Sequence, residues 1–435
     1  MSIKSYFLPL FLLLAFGCDR LGFNDKKDDQ NIELAVLALL ASQPTKQDMV
    51  NTYASIALAN YEDSVAAANS LKTAIETFVG PSGSDITNPS QANMDAAKKA
   101  WLDARPTYLQ TEVFRFAKGP IDEKLDSRKP DAGIETLINA WPLDELFVDC
   151  VITNTTNSNL TEAYLLTANT ATDIASCTSF TSADKNITVG WHAIEYLLWG
   201  QDSSTSTAGN RTLADFSGGT GTAAEKRRTF MRITAKLLVD HLTLVKNKWD
   251  PTKTGNTATA FKSDISGSLT NIFTGLAAFT KSEWGSQRLN MITSDDQEDE
   301  HSCFSDNTKA DFYYDAQGFI NIYSGSYKKS DGTTLTGAGL KILAGSLDGT
   351  MTTNMNTTRD SFCLNVSGSS MSVDSTNCSE NTIKGKYDQL ISSGTASSQM
   401  TILRSVQKAI ITLATNVQTM AKNNSISFTA PTSIR

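Results

Sequence analysis

Histidine, proline and charge are all scarce in this chain of 435 residues. It contains three histidines and 10 prolines, and charged side chains make up 19% of it. With few prolines, long helices can continue without interruption. With three histidines, any chemistry that needs an imidazole has few possible locations. The 46 acidic against 38 basic residues give a net charge of −8, which argues against the basic patches of a nucleic-acid-binding protein, so no nucleic-acid partner is expected.

Several catalytic signatures are also missing. The sequence has no His-Glu-x-x-His zincin motif, no Gly-x-Ser-x-Gly elbow, no P-loop, no dinucleotide fingerprint and no Cys-x-x-Cys-His haem motif. Beyond the N-terminus, no apolar run reaches the 18 residues expected of a membrane-spanning helix.

The N-terminus is typical of a bacterial secretory signal. Lys4 precedes an apolar stretch that is too short to span a membrane. A small residue directly before Cys18 resembles a lipobox, although Ala15 replaces the usual branched aliphatic residue; an incidental cysteine is the alternative. We predict a lipoprotein signal peptide over 1–17, a lipidated Cys18 with a tether over 18–44, and a membrane partner through that lipid. The expected location is the cell envelope, at the outer membrane on its periplasmic or surface face.

The other five cysteines suit an oxidising compartment, as two disulfides and one cysteine left over. Cys150 and Cys177 flank a polar Asn/Thr-rich segment, as do Cys363 and Cys378, so we expect these two pairings. Cys303, beside a histidine, is the one left over.

Apolar residues recur in steps of three and four, which predicts an all-α fold. The predicted helices cover 45–79, 90–117, 133–149, 186–199, 222–250, 257–286 and 398–421. Ser90 can cap the second of them, and Pro106 predicts a kink or an interruption inside it. His241 lies on an apolar stripe, which favours a core histidine.

Long helices joined by short turns favour two packed helical bundles. The Ser/Thr/Gly-rich segment 202–221 is the predicted linker between a first bundle over 45–201 and a second over 222–430. Within the second bundle, residues 320–378 are rich in Gly, Ser and Thr, and we expect a loop-rich insert with space for a small hairpin.

Two His/Glu pairs are the candidate metal ligands. His192 and Glu195 are three residues apart, and so are Glu298 and His301, a spacing that places both side chains of each pair on one helix face. Imidazole and carboxylate together suit zinc or iron. The acidic residues around His301 are expected to raise its pKa. Either pair is equally compatible with an ordinary surface pair on an exposed helix.

The residues around these pairs resemble the imelysin-like family, classed as peptidase M75. Gly190, His192 and Glu195 match its Gly-x-His-x-x-Glu motif, residues 101–122 resemble its N-terminal signature, and residues 282–308 its C-terminal one. The resemblance implies two packed bundles whose motifs meet near their interface. It implies a binding cleft that includes Arg105, Glu112, Arg115, Asp122, Arg288, Asp306 and Asn307.

The resemblance also implies a cell-envelope lipoprotein linked to iron uptake. We expect a metal ion (iron or zinc) or an iron-containing ligand, held by His192, Glu195, Glu298 and His301. One alternative is a metal-dependent peptidase with His192 and Glu195 as catalytic residues and Glu298 or Glu112 as general base. A third possibility is a non-catalytic module whose cleft binds a peptide or an envelope protein partner without metal.

Overall fold

A computed structural model describes residues 43–154, 160–174, 177–178, 182–289, 292, 300–362, 365–367, 370–372, 382–383, 386–392, 394 and 397–429. The predicted lipidation site Cys18, the predicted ligand Glu298 and the predicted pair Cys363 and Cys378 lie outside these residues. Within them the chain is predominantly helical, which confirms the all-α fold class.

The helices follow the apolar periodicity of the sequence. They are α1 (Lys46–Val79), α2 (Gln91–Leu109), α3 (Ile134–Ile138), α4 (Glu145–Thr153), α5 (Glu162–Ala168), α6 (Trp191–Trp199), α7 (Ala223–Trp249), α8 (Ala258–Ser263), α9 (Ile265–Ala278), α10 (Thr308–Ser324), α11 (Asp348–Asp360), α12 (Tyr387–Ser392) and α13 (Ser398–Asn423). A π-helix, Phe279–Gln287, continues α9. The single helix predicted over 257–286 is therefore divided into α8, α9 and the π-helix.

The strands form three antiparallel pairs and add little to the core. They are β1 (Asp173–Ile174) with β2 (Cys177–Thr178), β3 (Ser326–Lys328) with β4 (Thr334–Thr336), and β5 (Asn365–Ser367) with β6 (Ser370–Ser372). The pair β3–β4 is a small hairpin inside the predicted insert. The same insert contains α11, a helix of 13 residues that the loop-rich prediction missed.

The first group of helices packs around α1. Its apolar stripe, from Val50 to Phe78, is buried except for the partly buried Val65, and α2 and α7 pack against it. Ser90 caps α2 as predicted, because its side chain accepts a hydrogen bond from the backbone N–H of Asn93 (3.2 Å). The helix continues through Pro106 to its end without an interruption.

The second group packs around α13. The apolar residues at steps of three and four along this helix are all buried, namely Leu403, Val406, Ile410, Leu413, Val417 and Met420. Helix α9, the π-helix and α11 all contact α13. Its N-terminal half belongs to a small apolar cluster with the π-helix and α12, whereas its C-terminal half joins the large cluster around α1. Helix α10 connects the groups, since it contacts α2 as well as α11.

Helix α7 belongs to the first group by its packing, although it follows the 202–221 segment in the sequence. The domain boundaries at 45–201, 202–221 and 222–430 stay a prediction. Among the helices that the structure describes, none combines the length and the apolar character needed to cross a bilayer.

Candidate functional site

The first histidine of the site is placed by α6, whose nine residues are all buried. Gly190 precedes this helix with a φ of 90°, a backbone conformation that other residues rarely adopt. A Cβ atom on Gly190 would lie 2.5 Å from the carbonyl oxygen of Ile138, at the end of α3. The glycine of the motif therefore lets α6 begin directly against α3, which fixes the position of His192 two residues later.

Glu195 orients the ring of His192 through a hydrogen bond at Nδ1. One carboxylate oxygen of Glu195 lies 2.8 Å from His192 Nδ1, and the other accepts hydrogen bonds from the backbone N–H (3.0 Å) and hydroxyl (2.6 Å) of Ser305. Both oxygens of Glu195 are thus engaged. His192 Nε2 is fully buried and has no hydrogen-bond partner among the described residues. A buried imidazole nitrogen without a partner is unusual and marks a position where a ligand can bind.

The second histidine is held by α10. His301 Nδ1 lies 2.5 Å from Asp311 Oδ2, on the first turn of that helix. Ser302 donates to the same carboxylate oxygen (2.6 Å), and Arg105 from α2 forms an ion pair with it (3.0 Å). Arg105 is itself fully buried and donates to the side-chain oxygen of Asn139 (2.7 Å). A buried charge network therefore fixes the orientation of His301.

The two imidazoles meet at one place. Their ring centroids lie 4.8 Å apart, with the rings at 74° to each other. The ring of Trp141 contacts both, with its centroid 4.8 Å from that of His192 and 6.3 Å from that of His301. The structure thus brings together the two histidines that belong to the motifs, and it supplies each with a carboxylate at Nδ1.

Burial keeps both histidines neutral. It lowers the pKa of His192 well below its usual value, and the charge of Arg105 adds to the effect. Burial also lowers the pKa of His301, assisted by Arg288. The expectation of a raised pKa for His301 is wrong, because burial and the charges of Arg288 and Arg105 lower it. Burial raises the pKa of Glu195 to about 8.

A cavity of about 550 Å³ gives access to the site. His301 lines it, whereas His192 lies behind His301 and is fully buried. The remaining wall is charged and aromatic and is formed by Arg115, Glu135, Thr136, Asn139, Ala140, Trp141, Pro142, Asp184, Glu283, Ser286, Gln287 and Arg288. The cavity therefore lies where α3 and the loop after it face the π-helix, between the two helix groups.

Two arginines of this wall form ion pairs with acidic side chains in it and beside it. Arg288 pairs with Asp315 (2.8 Å), Glu283 (3.2 Å) and Glu112, and Arg115 pairs with Glu112 (2.9 Å) and Glu283 (3.1 Å). Burial alone would raise the pKa of Glu112, but the charges of Arg288 and Arg115 lower it far below its usual value. A carboxylate stabilised in this way is a weak base.

Three other residues named from the sequence make contacts of their own around the site. Asp122 accepts hydrogen bonds from the backbone N–H groups of Phe116 (2.9 Å) and Gly119 (3.1 Å) and so closes a local turn. Asn307 donates to Asp311 Oδ1 (3.2 Å), which supports the carboxylate behind His301. Asp306 forms an ion pair with Lys386.

Two further predictions concern structural roles. His241 is fully buried, with Nε2 at 2.9 Å from Asp126 Oδ2 and Nδ1 at 3.2 Å from the carbonyl oxygen of Leu137. It is a core histidine, as its position on the apolar stripe indicated.

Cys150 and Cys177 are joined by a disulfide, with their Cα atoms 5.7 Å apart, as expected from the sequence.

Sequence reasoning missed the residues that complete the site. Asp311, Trp141 and Asn139 belong to no motif, and Asp311 is ten positions beyond the histidine that it holds. Ser305 lies within the segment 282–308 that resembles the C-terminal signature, but no spacing in the sequence relates it to Glu195. These roles depend on contacts between separate helices, which no local sequence pattern predicts.

The Peptidase_M75 family model, described as Imelysin, matches residues 57–391. Iron-regulated protein A of Synechococcus elongatus is 29% identical over 100 residues, which are 23% of this chain and 23% of that protein. The chain thus matches about a quarter of the length of that curated relative.

The fold also has a solved counterpart. A crystal structure of a candidate iron-regulated protein A precursor from Parabacteroides distasonis shares 14% identity and a TM-score of 0.60, over 89% of this chain and 97% of that one. This likeness shows a common fold. The family model covers most of the chain, including α6 with its Gly-x-His-x-x-Glu motif and α10 with Asp311. The chain therefore belongs to the imelysin family, Peptidase_M75.

Proposed function

We propose that this chain binds a metal ion or an iron-containing ligand through His192 and His301, in a role linked to iron uptake. The observation that carries the proposal is the pair of buried imidazoles 4.8 Å apart, with His192 Nε2 unpartnered among the described residues. Neutral imidazole nitrogen is a preferred ligand of both iron and zinc.

The carboxylates behind the rings support this function. Metal-binding histidines commonly hydrogen-bond a carboxylate through the second ring nitrogen, which orients the ring and leaves one lone pair toward the metal. Glu195 and Asp311 occupy that position at Nδ1 of His192 and His301, respectively. The lowered pKa values of both histidines also favour metal binding, because a protonated imidazole has no free lone pair.

The ligand set proposed here is narrower than the one predicted from the sequence. Both oxygens of Glu195 are engaged by His192 and Ser305, so we assign Glu195 to positioning the ring. Glu298 stays a predicted ligand outside the described residues. Within the described part of the chain, no third His, Cys or acidic ligand atom joins the two imidazoles. Two protein ligands leave coordination positions for solvent or for groups of an iron-containing ligand inside the cavity.

The link to iron rests on the relatives. One curated relative and one solved structure of the same fold both carry the description iron-regulated protein A. A function as an M75 peptidase is the alternative. It is less well supported because Glu112, a candidate general base, is held ionised and weakly basic by Arg288 and Arg115. The peptidase alternative predicts chelator-sensitive cleavage of a peptide, which Glu195→Gln would abolish.

Metal content and binding test the proposed function. Purified wild-type protein, His192→Ala and His301→Ala are compared by elemental analysis and by calorimetric titration with Zn²⁺ and, under anaerobic conditions, Fe²⁺. We expect one ion per wild-type chain and loss of binding in both variants. His241→Gln is the matched control, because it alters a buried histidine that is part of another contact, and it should bind as wild type does. Equal, near-zero binding in all four proteins would contradict the proposal.

We also propose that the chain is anchored to the cell envelope by a lipid on Cys18. The apolar signal-like stretch and the small residue before Cys18 support this location. Mass spectrometry of the membrane-associated protein should find a lipidated Cys18 as the first residue. Release of Cys18→Ser from the membrane fraction is expected, and an unmodified Cys18 would contradict the anchor.

A further inference from the structure

The two histidines of the site differ in their relation to the cavity. His301 lines the cavity of about 550 Å³, whereas His192 is fully buried and is not among the described residues of its wall. Trp141 also lines the cavity and is partly exposed, and its ring centroid lies 4.8 Å from that of His192. Within the described structure, a ligand that enters the cavity therefore meets His301 and Trp141 before it meets His192.

The loop after α3 presents the indole of Trp141 to the cavity. Residues 140–142 line the wall and are partly exposed, whereas Asn139 and Leu143 on either side of them are buried. Asn139 also accepts a hydrogen bond from Arg105 (2.7 Å). Because both ends of this short segment are anchored, we expect the indole side chain to move more easily than the backbone that carries it.

Ring contacts hold the indole in its position. Its centroid lies 4.8 Å from that of His192, 5.5 Å from that of Phe304 and 6.3 Å from that of His301. The indole Nε1 is buried and has no hydrogen-bond partner among the described residues, although a buried tryptophan N–H usually has one. One ring contact favours the packed position by about two- to tenfold, so the three together favour it at least about tenfold.

We propose that Trp141 controls access to His192: its indole separates this imidazole from the cavity and turns aside to let an ion pass. The inference rests on the proposed function, since it concerns how an ion comes to be held by both histidines. The cavity is in the size range that accommodates a drug-sized molecule, so it has room to receive one indole ring. Binding is then ordered, because the ion meets His301 first and His192 only after Trp141 has moved.

This arrangement slows the binding of the ion. Only molecules in which the indole has turned aside can bind an ion with both histidines, so the association rate is reduced to the fraction of molecules in that state. The three ring contacts keep that fraction at about one tenth or less. Removal of the indole should therefore raise the association rate at least about tenfold.

Chemical modification tests the position of Trp141 without any metal. Diethyl pyrocarbonate reacts with neutral imidazole, and peptide mass spectrometry can follow each of the three histidines separately. In the full-length wild-type protein, His301 should react at least about tenfold faster than His192. Trp141→Ala should accelerate the reaction of His192 at least about tenfold. His241 should stay unmodified in both proteins, because it is fully buried in a separate contact with Asp126.

Two further variants make the modification test decisive. Trp141→Phe keeps a ring in the loop, so it should fold even if Trp141→Ala does not, a failure that modification of His241 would reveal. The smaller ring makes weaker contacts, and His192 should react about twofold faster than in wild type or more. Trp199→Phe is the matched control, because Trp199 is on α6 but packs against Trp101, and its His192 should react as in wild type.

The rates of modification can overturn the proposal. It is wrong if His192 of the wild-type protein reacts as fast as His301. It is also wrong if neither Trp141→Phe nor a folded Trp141→Ala changes the rate at which His192 reacts.

Rapid mixing with ZnCl₂ separates this inference from the proposed function. The loss of free Zn²⁺, followed with a zinc-sensitive dye, should be at least about tenfold faster with Trp141→Ala than with wild type, and Trp199→Phe should match wild type. Zn²⁺ binding at equal rates to wild type and Trp141→Ala would overturn the role of Trp141 alone. Absence of Zn²⁺ binding to wild type would instead contradict the proposed function, and the modification rates would still decide whether Trp141 shields His192.

Discussion

The rings of His192 and His301 meet edge to face with their centroids 4.8 Å apart, although one histidine belongs to α6 and the other to the turn before α10. Each has a carboxylate at Nδ1, so two independent supports converge on one position at the end of the cavity. The geometry of the two histidines therefore depends on how α3, α6 and α10 pack together.

Gly190→Ala should destabilise the protein. At the φ of 90° found there, a residue with a Cβ costs about 1–3 kcal/mol, and the contact of that Cβ with the carbonyl of Ile138 at 2.5 Å adds to it. Chemical denaturation measures the loss. Gly219→Ala, at an exposed position with open space around it, should change the free energy of unfolding by less than about 0.5 kcal/mol. Equal stability of the two variants would show that α6 can move away from α3.

Glu195→Gln should weaken metal binding without removing it. If Glu195 acts by orienting His192, the loss of affinity is about 10–100-fold, the usual cost of changing the group behind a metal-binding histidine. Calorimetric titration with Zn²⁺ measures the loss. Glu135→Gln is the control, because Glu135 lines the cavity and pairs with Arg115, whereas the Nδ1 atoms of the two histidines pair with Glu195 and Asp311. This variant should bind Zn²⁺ as wild type does. Complete loss in Glu195→Gln, equal to that in His192→Ala, would instead make Glu195 a ligand.

Asp311→Asn should lower the free energy of unfolding by about 3–5 kcal/mol, because Arg105 then stays buried with its charge uncompensated. Arg105→Met should be destabilising as well, since it leaves Asp311 without its cation. The double variant should lose less stability than the sum of the two single losses, as expected for a coupled pair. Additive losses in denaturant unfolding would contradict a direct interaction.

His241 should make stability depend on pH. Burial lowers its pKa despite the favourable contact with Asp126, so below about pH 6.5 the unfolded chain takes up a proton that the folded chain does not. Stability conferred by neutral His241 is therefore complete at higher pH and is lost as the pH falls through 6.5. The difference in unfolding free energy between wild type and His241→Gln should decrease by up to about 1.4 kcal/mol per pH unit in that range. A constant difference from pH 7.5 to 5 would show that the pKa is not lowered.

Replacing both Cys150 and Cys177 by serine should lower the free energy of unfolding by about 3.5 kcal/mol. The disulfide closes a loop with a sequence separation of 27, and loop-closure entropy gives that magnitude. Thermal or denaturant unfolding of wild type in a strong reductant should approach the stability of the double variant. The reductant should have no effect on the double variant itself, and a stabilised double variant would contradict the prediction.

The sequence by itself determined the longest helices and the histidines of interest. Apolar residues at steps of three and four specify α1, α7 and α13 because only one face of each helix can be buried. The same periodicity assigned His241 to the core. The motif residues selected His192 and His301 from three candidates. Where the periodicity is interrupted the prediction was less accurate, because the helix predicted over 257–286 is divided into α8, α9 and the π-helix, and α11 was missed.

Tertiary structure decided everything that depends on contacts between helices. It brought His192 within reach of His301, placed Asp311 and Ser305 as supports, and showed that burial and arginine neighbours lower the pKa of His301 where its acidic sequence neighbours suggest the opposite. It also placed Trp141 against His192 at the wall of the cavity. Local sequence determines which face of a helix is apolar, but desolvation and the distance between charges are set by which faces meet, and those distances determine the chemistry of the site.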